Sequence, residues 1–255
     1  MISVRDLKVS YGGTTVAHVP EFDLAAGQVL GIAGESGSGK SQTALALMGL
    51  TRYAGGTVSG SIMLGGVELN TLSNKQWRSV RGRQIAMILQ SPRASLNPTM
   101  TLGALFGRTL KLHGVPRAER RPRMEQALAE VMLDPQILSR YPHQVSGGQA
   151  QRCAIALVGA LRVDVLIADE PTSALDVTVQ SEVIDVLRSL RERHGTAIVF
   201  ISHDLAVISE LADQVMVMRG GEVVEQGLTS QILHQPAEQY TRDLLAAVPV
   251  IGRTR

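Results

Sequence analysis

The sequence GESGSGKS, residues 34–41, constrains the fold of this chain more than any other feature. It lies between an apolar run typical of a strand, Val29–Ala33, and a helix-like run, Thr43–Met48. Glycines let the backbone curl so that successive N–H groups turn inward, and a helix that begins near Lys40 adds the positive end of its dipole. Lys40 can reach the outer phosphates of a nucleotide, and Ser41 can offer a hydroxyl to Mg²⁺. A glycine-rich turn with an incidental lysine is the alternative, and chance produces this pattern in such a chain only about 1% of the time.

A second candidate element is VLIADE, residues 165–170, an apolar strand that ends in two acids. A carboxylate at the end of a buried strand is costly unless a cation or donors lie there, so Asp169 is interpreted as a direct or indirect partner of Mg²⁺ near Ser41. Glu170 is suited to polarise a water for in-line attack on a γ-phosphate. Two surface acids before the next helix are the alternative, which the lysine loop disfavours.

The order of apolar runs predicts an α/β fold with a mixed sheet. The chain opens with two alternating strands, Ser3–Tyr11 and Thr15–Phe22, joined by Gly12 and Gly13, which predicts an antiparallel hairpin. Continuous apolar runs of strand length follow, as in buried parallel strands. They are Val29–Ala33, Ile85–Leu89, Val165–Ala168, Ala197–Ile201 and Val215–Met218.

Helical sequence between these runs predicts an inserted α-helical subdomain. The segment Pro116–Met132 opens with proline and spaces Ala118, Met124, Ala127, Leu128 and Met132 near one helical face. We expect a core of about residues 1–90 and 162–230, a helical subdomain of about 91–161 and a tail of about 231–255.

Composition excludes several classes of protein. No apolar run approaches the roughly 18 residues that cross a bilayer, and charges of both signs next to Met1 argue against a secretory signal. The one cysteine, Cys153, allows no internal disulfide and suits a reducing cytoplasm. The net charge of +2 is too small to predict a nucleic-acid binder. The basic residues Arg108, Lys111, Arg117, Arg120, Arg121 and Arg123 could form a docking surface, but an ordinary solvated helix face is favoured.

Taken in order, these motifs resemble the nucleotide-binding domain of ATP-binding cassette (ABC) proteins over nearly the whole chain. Tyr11 stands where that family stacks an aromatic ring on adenine. The segment VSGGQ, residues 145–149, resembles the family signature with valine in place of leucine, and residues 173–176, SALD, resemble the loop that crosses the dimer interface. Gln90 and His203 match a glutamine that touches Mg²⁺ and the attacking water and a histidine near the γ-phosphate.

The resemblance implies a P-loop nucleotide-hydrolase core with an antiparallel β subdomain, and a site for ATP and Mg²⁺. The implied catalytic residues are Glu170, His203 and Gln90, and the implied metal ligands are Ser41, Gln90 and Asp169. The implied nucleotide-binding residues are Tyr11, Gly34, Glu35, Ser36, Gly37, Ser38, Gly39, Lys40, Ser41, Gln42, Ser146, Gly147, Gly148, Gln149 and Asp176.

The signature adds a second anion site, because Ser146 with two glycines precedes the helix-like run Ala150–Leu161. The family resolves this by pairing two chains head to tail around ATP. The segments SPRASLNP (91–98), YPHQ (141–144) and YTRDLL (240–245) resemble the branch that imports peptides and nickel. This branch implies two membrane permeases, a second and different ATPase chain, an external substrate-binding protein, a place on the cytoplasmic face of the membrane and no nucleic acid. The tail without a cysteine-rich extension predicts no iron–sulfur cluster and favours nickel or metal-chelate relatives.

Three other classes of ATPase are alternatives to an importer subunit. A DNA-repair or chromosome ATPase needs long coiled coils between Lys40 and the signature, and only about 105 residues separate them. A translation-factor relative needs two cassettes, and the sequence contains one. A cytoplasmic ATPase of iron–sulfur assembly or phosphonate breakdown has the right length and is the remaining alternative.

Overall fold

The computed structural model describes residues 1–91, 96–173 and 175–247. They form two compact units, one of Met1–Leu72 with the chain from Val199 onward, and one of Ser73–Ile198. Part of the SPRASLNP segment, Pro92 to Ser95 with Arg93, lies outside the described residues, as do Ala174 of the SALD segment and the end of the tail from residue 248.

Three strands open the chain, and helices and strands are mixed after them. The strands are β1 Ile2–Tyr11, β2 Thr14–Leu24, β3 Val29–Ala33, β4 Thr57–Leu64, β5 Val67–Glu68, β6 Ile85–Ile88, β7 Val165–Asp169, β8 Ala197–Ile201, β9 Gln214–Arg219 and β10 Glu222–Leu228. The α-helices are α1 Lys40–Leu47, α2 Asn74–Val80, α3 Leu102–Leu112, α4 Arg117–Glu130, α5 Gly147–Leu161, α6 Val177–His194, α7 Leu205–Ser209, α8 Thr229–His234 and α9 Gln239–Ala246. Short 3₁₀ turns cover Thr51–Ala54, Leu69–Thr71, Pro135–Ser139 and Pro142–Gln144.

The first unit contains a mixed sheet in the order β5-β4-β1-β2-β10-β9-β3. The predicted hairpin is confirmed: β1 pairs antiparallel with β2, and the turn glycines Gly12 and Gly13 have φ of 55° and 83°. At the other end of the order, β3 pairs parallel with β9. Every residue of β3 is buried, which is why its sequence shows no polar alternation. The sequence GESGSGKS follows this strand directly.

The second unit contains the parallel pair β6 and β7, with Ile88 opposite Ala168. Helix α5 packs against α4 and α6. The strand β8 begins in this unit and ends in the first, since the boundary falls between Ile198 and Val199. No helix among residues 1–91, 96–173 and 175–247 combines the length and the apolar character needed to cross a bilayer.

The apolar face expected for Pro116–Met132 is only partly correct. Met124, Ala127 and Leu128 are buried, but Ala118 lies exposed in the first turn. Met132 follows the end of the helix with φ of 56°, so it leaves the helical repeat, and it is 61% exposed.

Candidate functional site

Residues 34–41, the predicted phosphate loop, lead from β3 into α1. The lysine of this loop is held by oxygen atoms of the loop itself. Lys40 Nζ donates to the carbonyl oxygens of Gly34 and Glu35, at 2.7 Å each. Ser38 Oγ lies 3.4 Å from the same ammonium, and the lysine is only 4% exposed. Three oxygens of the loop therefore fix a buried cation at the first residue of α1.

Glycine is required where the loop leaves the strand and where it enters the helix. Gly34 has φ of 146°, and a Cβ there would overlap the carbonyl oxygen of Met218. Gly39 has φ of 103°, and a Cβ there would lie 2.9 Å from the carbonyl oxygen of Val16. Between them Glu35, Ser36 and Gly37 are exposed. The loop is thus a tight backbone turn whose middle residues face solvent. This shape suits a polyanion bound by backbone N–H groups.

Two further predicted nucleotide-binding residues are joined in the first unit. The Tyr11 hydroxyl donates to Gln42 Oε1 at 2.8 Å, which ties the end of β1 to α1. The ring lies close to Gly56, where a Cβ would come within 2.7 Å of Tyr11 Cε1. The aromatic ring predicted to stack on adenine is therefore fixed at its hydroxyl and along one edge.

His203 follows β8 in the first unit and is exposed. The residues on either side of it are held by local hydrogen bonds. Ser202 Oγ accepts from the N–H of Asp204 at 3.0 Å, and Asp204 Oδ1 accepts from the N–H of Ala206 at 2.8 Å. The histidine thus lies in a hydrogen-bonded turn at the end of a buried strand.

In the second unit the two predicted catalytic residues Gln90 and Glu170 contact each other. Gln90 Nε2 donates to Glu170 Oε2 at 2.9 Å. Glu170 has φ of 47°, in the left-handed region that non-glycine residues seldom adopt. Ser173 holds it there, since the N–H and Oγ of Ser173 both donate to the Glu170 carbonyl, at 3.2 and 2.9 Å. Asp169, one residue earlier, ends β7 and is 7% exposed.

The sequence did not predict the Gln90–Glu170 hydrogen bond, although the strand register could have indicated it. Ile88 and Ala168 are partners in the parallel pair, and Gln90 and Glu170 each lie two residues further along. The structure ends β6 at Ile88 rather than at Leu89, which is 42% exposed. Leu96, in the segment predicted to face a membrane partner, is only 5% exposed.

The signature begins α5 with a complete capping box. Ser146 Oγ accepts from the N–H of Gln149 at 3.1 Å, and Gln149 Oε1 accepts from the N–H of Ser146 at 3.0 Å. Gly148 faces α6, where a Cβ would lie 2.7 Å from Val179 Cγ1. Asp176 caps α6 by accepting from the N–H of Val179 at 3.0 Å. The signature and the predicted dimer loop thus meet at Val179.

Cys153 lies on the buried side of α5. Burial raises the pKa of its thiol to about 12. A thiol protonated at neutral pH and closed off from solvent is a packing residue rather than a nucleophile or metal ligand.

The described residues contain no group of three or more His, Cys, Asp or Glu side chains arranged to hold a metal ion. The predicted Mg²⁺ ligands are of another kind, a hydroxyl from Ser41, an amide oxygen from Gln90 and one carboxylate from Asp169. Hard oxygen donors with few carboxylates suit Mg²⁺, which keeps several waters and takes its other ligands from phosphates.

The family profile described as ABC transporter matches residues 18–173. The chain belongs to this family. It is 45% identical over 258 aligned residues to the peptidoglycan transport ATP-binding protein YejF of Agrobacterium fabrum, an alignment that covers 98% of this chain and 47% of the relative. It is 46% identical over 240 residues to the glutathione import ATP-binding protein GsiA of Escherichia coli K12, covering 91% of this chain and 38% of the relative. The chain thus spans about half or less of the length of these curated relatives.

Solved structures agree with the fold of this ABC cassette. The ATP-binding cassette MJ0796, in a dimeric post-hydrolysis state with ADP and phosphate, has a TM-score of 0.79 at 25% identity and covers 90% of this chain and 99% of its own. CbiO1 of Clostridium perfringens, part of an ABC transporter complex, has a TM-score of 0.79 at 26% identity and covers 97% and 95%. The predicted family and fold class are confirmed.

Proposed function

We propose that the chain is the ATP-hydrolysing subunit of an ABC importer. The observation that carries hydrolysis, beyond nucleotide binding, is the hydrogen bond from Gln90 to the carboxylate of Glu170. It orients a half-buried carboxylate at the end of a strand, next to the buried Asp169. A base fixed in this way is what attack by water on a phosphate requires.

Each group of predicted site residues has its own role in ATP hydrolysis under this proposal. The loop backbone and Lys40 bind the phosphates, and Tyr11 stacks on the base. Ser41, Gln90 and Asp169 would hold Mg²⁺, which would neutralise charge on the phosphates. Glu170 accepts the proton of the attacking water, Gln90 keeps the carboxylate and the water in line, and His203 contacts the γ-phosphate.

The site is completed by a second cassette. The chain has both a phosphate loop and a signature, and in the family these belong to the two faces of one sandwich formed by paired chains. The dimeric state of the similar cassette MJ0796 supports such a pair. We propose that the second cassette is a different chain, that two permeases and an external binding protein complete the importer, and that the chain acts on the cytoplasmic face of the membrane.

The names of similar proteins favour a peptide-type cargo over nickel or a metal chelate. YejF is named for peptidoglycan transport and GsiA for glutathione import. The basic residues of α3 and α4 do not favour a nucleic-acid partner, since several serve the helix itself. Arg121 Nε donates to Glu125 at 2.6 Å, Arg123 Nη2 to Glu119 at 2.8 Å, and Arg120 Nε to the carbonyl of Val115 at 2.9 Å.

Turnover of the purified chain tests this function. We expect weak ATPase activity alone, marked stimulation in a complex with permeases and a second cassette, and no stimulation by DNA or RNA. Lys40→Ala should abolish the stimulated rate and serves as the background. Full-rate turnover by a monomeric chain would favour a cytoplasmic ATPase of iron–sulfur assembly or phosphonate breakdown. Stimulation by nucleic acid would contradict both that function and the importer function.

A further inference from the structure

The segment YTRDLL returns to the phosphate loop through one tyrosine. The N–H of Glu35 donates to the hydroxyl of Tyr240 at 3.1 Å. Tyr240 lies in α9 and is 9% exposed. The guanidinium of Arg219, at the end of β9, lies 4.9 Å from the centre of its ring. The adjacent residue Met218 contacts Gly34 through its carbonyl oxygen.

The contact fixes both ends of one peptide group. The carbonyl of Gly34 and the N–H of Glu35 belong to the same planar unit, so they cannot turn independently. The carbonyl accepts from Lys40 Nζ at 2.7 Å, while the N–H donates to Tyr240. The hydroxyl of Tyr240 therefore helps to set the direction of the carbonyl that holds the lysine.

Helix α9 is itself anchored by a carboxylate of β10. Glu225 accepts from the N–H of Ala237 at 2.7 Å and from the N–H of Glu238 at 3.2 Å, one with each oxygen. Burial alone would raise the pKa of Glu225, but the donors around the carboxylate outweigh it and the pKa is lowered. The ionised carboxylate thus holds the start of α9, two residues before Tyr240.

We propose that Tyr240 is a positioning residue for the phosphate loop, so that docking of α9 and binding of ATP are thermodynamically linked. The proposal rests on the proposed function in that the loop is taken to bind ATP. If the docked helix favours the loop geometry that binds phosphate, bound nucleotide must favour the docked helix by the same factor. Helix α9 is then a regulatory element of the nucleotide site.

Tyr240→Phe in the full chain tests the hydroxyl while keeping the ring under Arg219. We expect the dissociation constant for a non-hydrolysable ATP analogue to rise about 2- to 10-fold, the usual effect of losing one hydrogen bond. The amide of Glu35 should exchange faster with solvent in the absence of nucleotide. Tyr53→Phe, at a side chain that is 62% exposed, is the matched control and should change neither value.

The linkage has its own test at a distance from the loop. Glu225→Gln leaves one acceptor oxygen for two N–H groups, so the amides at the start of α9 should exchange faster and ATP should bind more weakly. In the wild-type chain, added nucleotide should slow exchange in α9. Faster exchange in Glu225→Gln with unchanged ATP affinity would overturn the linkage.

Wild-type ATP affinity and wild-type Glu35 exchange in Tyr240→Phe would overturn the positioning role. A wild-type chain that binds no ATP would instead contradict the proposed function and, with it, the linkage. Exchange of the Glu35 amide without nucleotide would still decide whether Tyr240 positions the loop.

Discussion

Helices α1 and α5 both begin at glycine-rich sequences expected to hold phosphate, and they begin in different ways. At α1 the N-cap is Gly39 with φ of 103°, and no side chain caps the helix. At α5 Ser146 and Gln149 satisfy each other in a capping box. An α-helix starts with four N–H groups that lack partners within it. A side-chain cap is therefore present at the start of α5 and absent at the start of α1.

From this difference we infer which of the two helix starts gains more from bound nucleotide. The loop at α1 has no side-chain cap, and it buries the Lys40 ammonium among oxygen atoms. A bound phosphate would add negative charge beside this ammonium and accept from N–H groups of the loop. We expect a bound phosphate to stabilise the start of α5 less in a lone chain, because Ser146 already accepts a hydrogen bond from the helix backbone there. We therefore expect ATP to bind the lone chain through the loop, with the signature contributing only in the pair.

The largest expected effect is on the rate of hydrolysis and comes from a residue outside both helix starts. Glu170→Gln should lower turnover of the full assembly by about 10² to 10⁴ while ATP binding is retained, because it removes a positioned base and leaves the loop intact. Steady-state turnover and nucleotide affinity should be measured on the same preparation. Glu192→Gln, at an exposed position of α6, is the control. A near-wild-type rate in Glu170→Gln would refute the assigned role.

The next effect concerns the uncapped start. Lys40→Ala should weaken ATP binding by the lone chain about 10- to 100-fold, since charged hydrogen bonds to phosphate are lost. Titration calorimetry checks this against Lys75→Ala, an exposed lysine of α2. Equal affinities in the two variants would mean that the loop is not the main binding element.

The smallest effect concerns the capped start. Ser146→Ala should lower the free energy of unfolding by about 1 kcal/mol through loss of the cap, and leave ATP affinity of the lone chain unchanged. Denaturant unfolding and titration of the monomer measure the two quantities. Ser181→Ala, an exposed serine within α6, should cost little stability. A large loss of ATP affinity in monomeric Ser146→Ala would contradict the difference inferred between the two helix starts, because the signature would then bind nucleotide without a partner.

The fold was predictable wherever a strand is buried on both faces. Ala197–Ile201 was bounded correctly because all five residues are buried. The strand β10, Glu222–Leu228, was not predicted, because its residues are all half-buried or exposed and its position depends on its ladder with β9. The apolar spacing also extended α4 too far, because Met132 turns out of the helix.

The site was predictable where it is continuous in sequence. Residues 34–41 follow one another, so their backbone chemistry could be inferred from the order of residue types. The hydrogen bond from Gln90 to Glu170 spans 80 residues, and that from Glu35 to Tyr240 spans 205. Such contacts depend on strand register and on where α9 docks, and no local sequence pattern encodes either.

The burial of Cys153 has a practical consequence for measuring the docking of α9. The chain contains one cysteine, and its thiol is protonated at neutral pH and closed off from reagents. The native sequence therefore serves as a silent background for site-directed labelling. A cysteine introduced on the exposed side of α9 would be the only thiol to react with a maleimide fluorophore, so the helix can be followed during nucleotide binding without first altering the interior of α5.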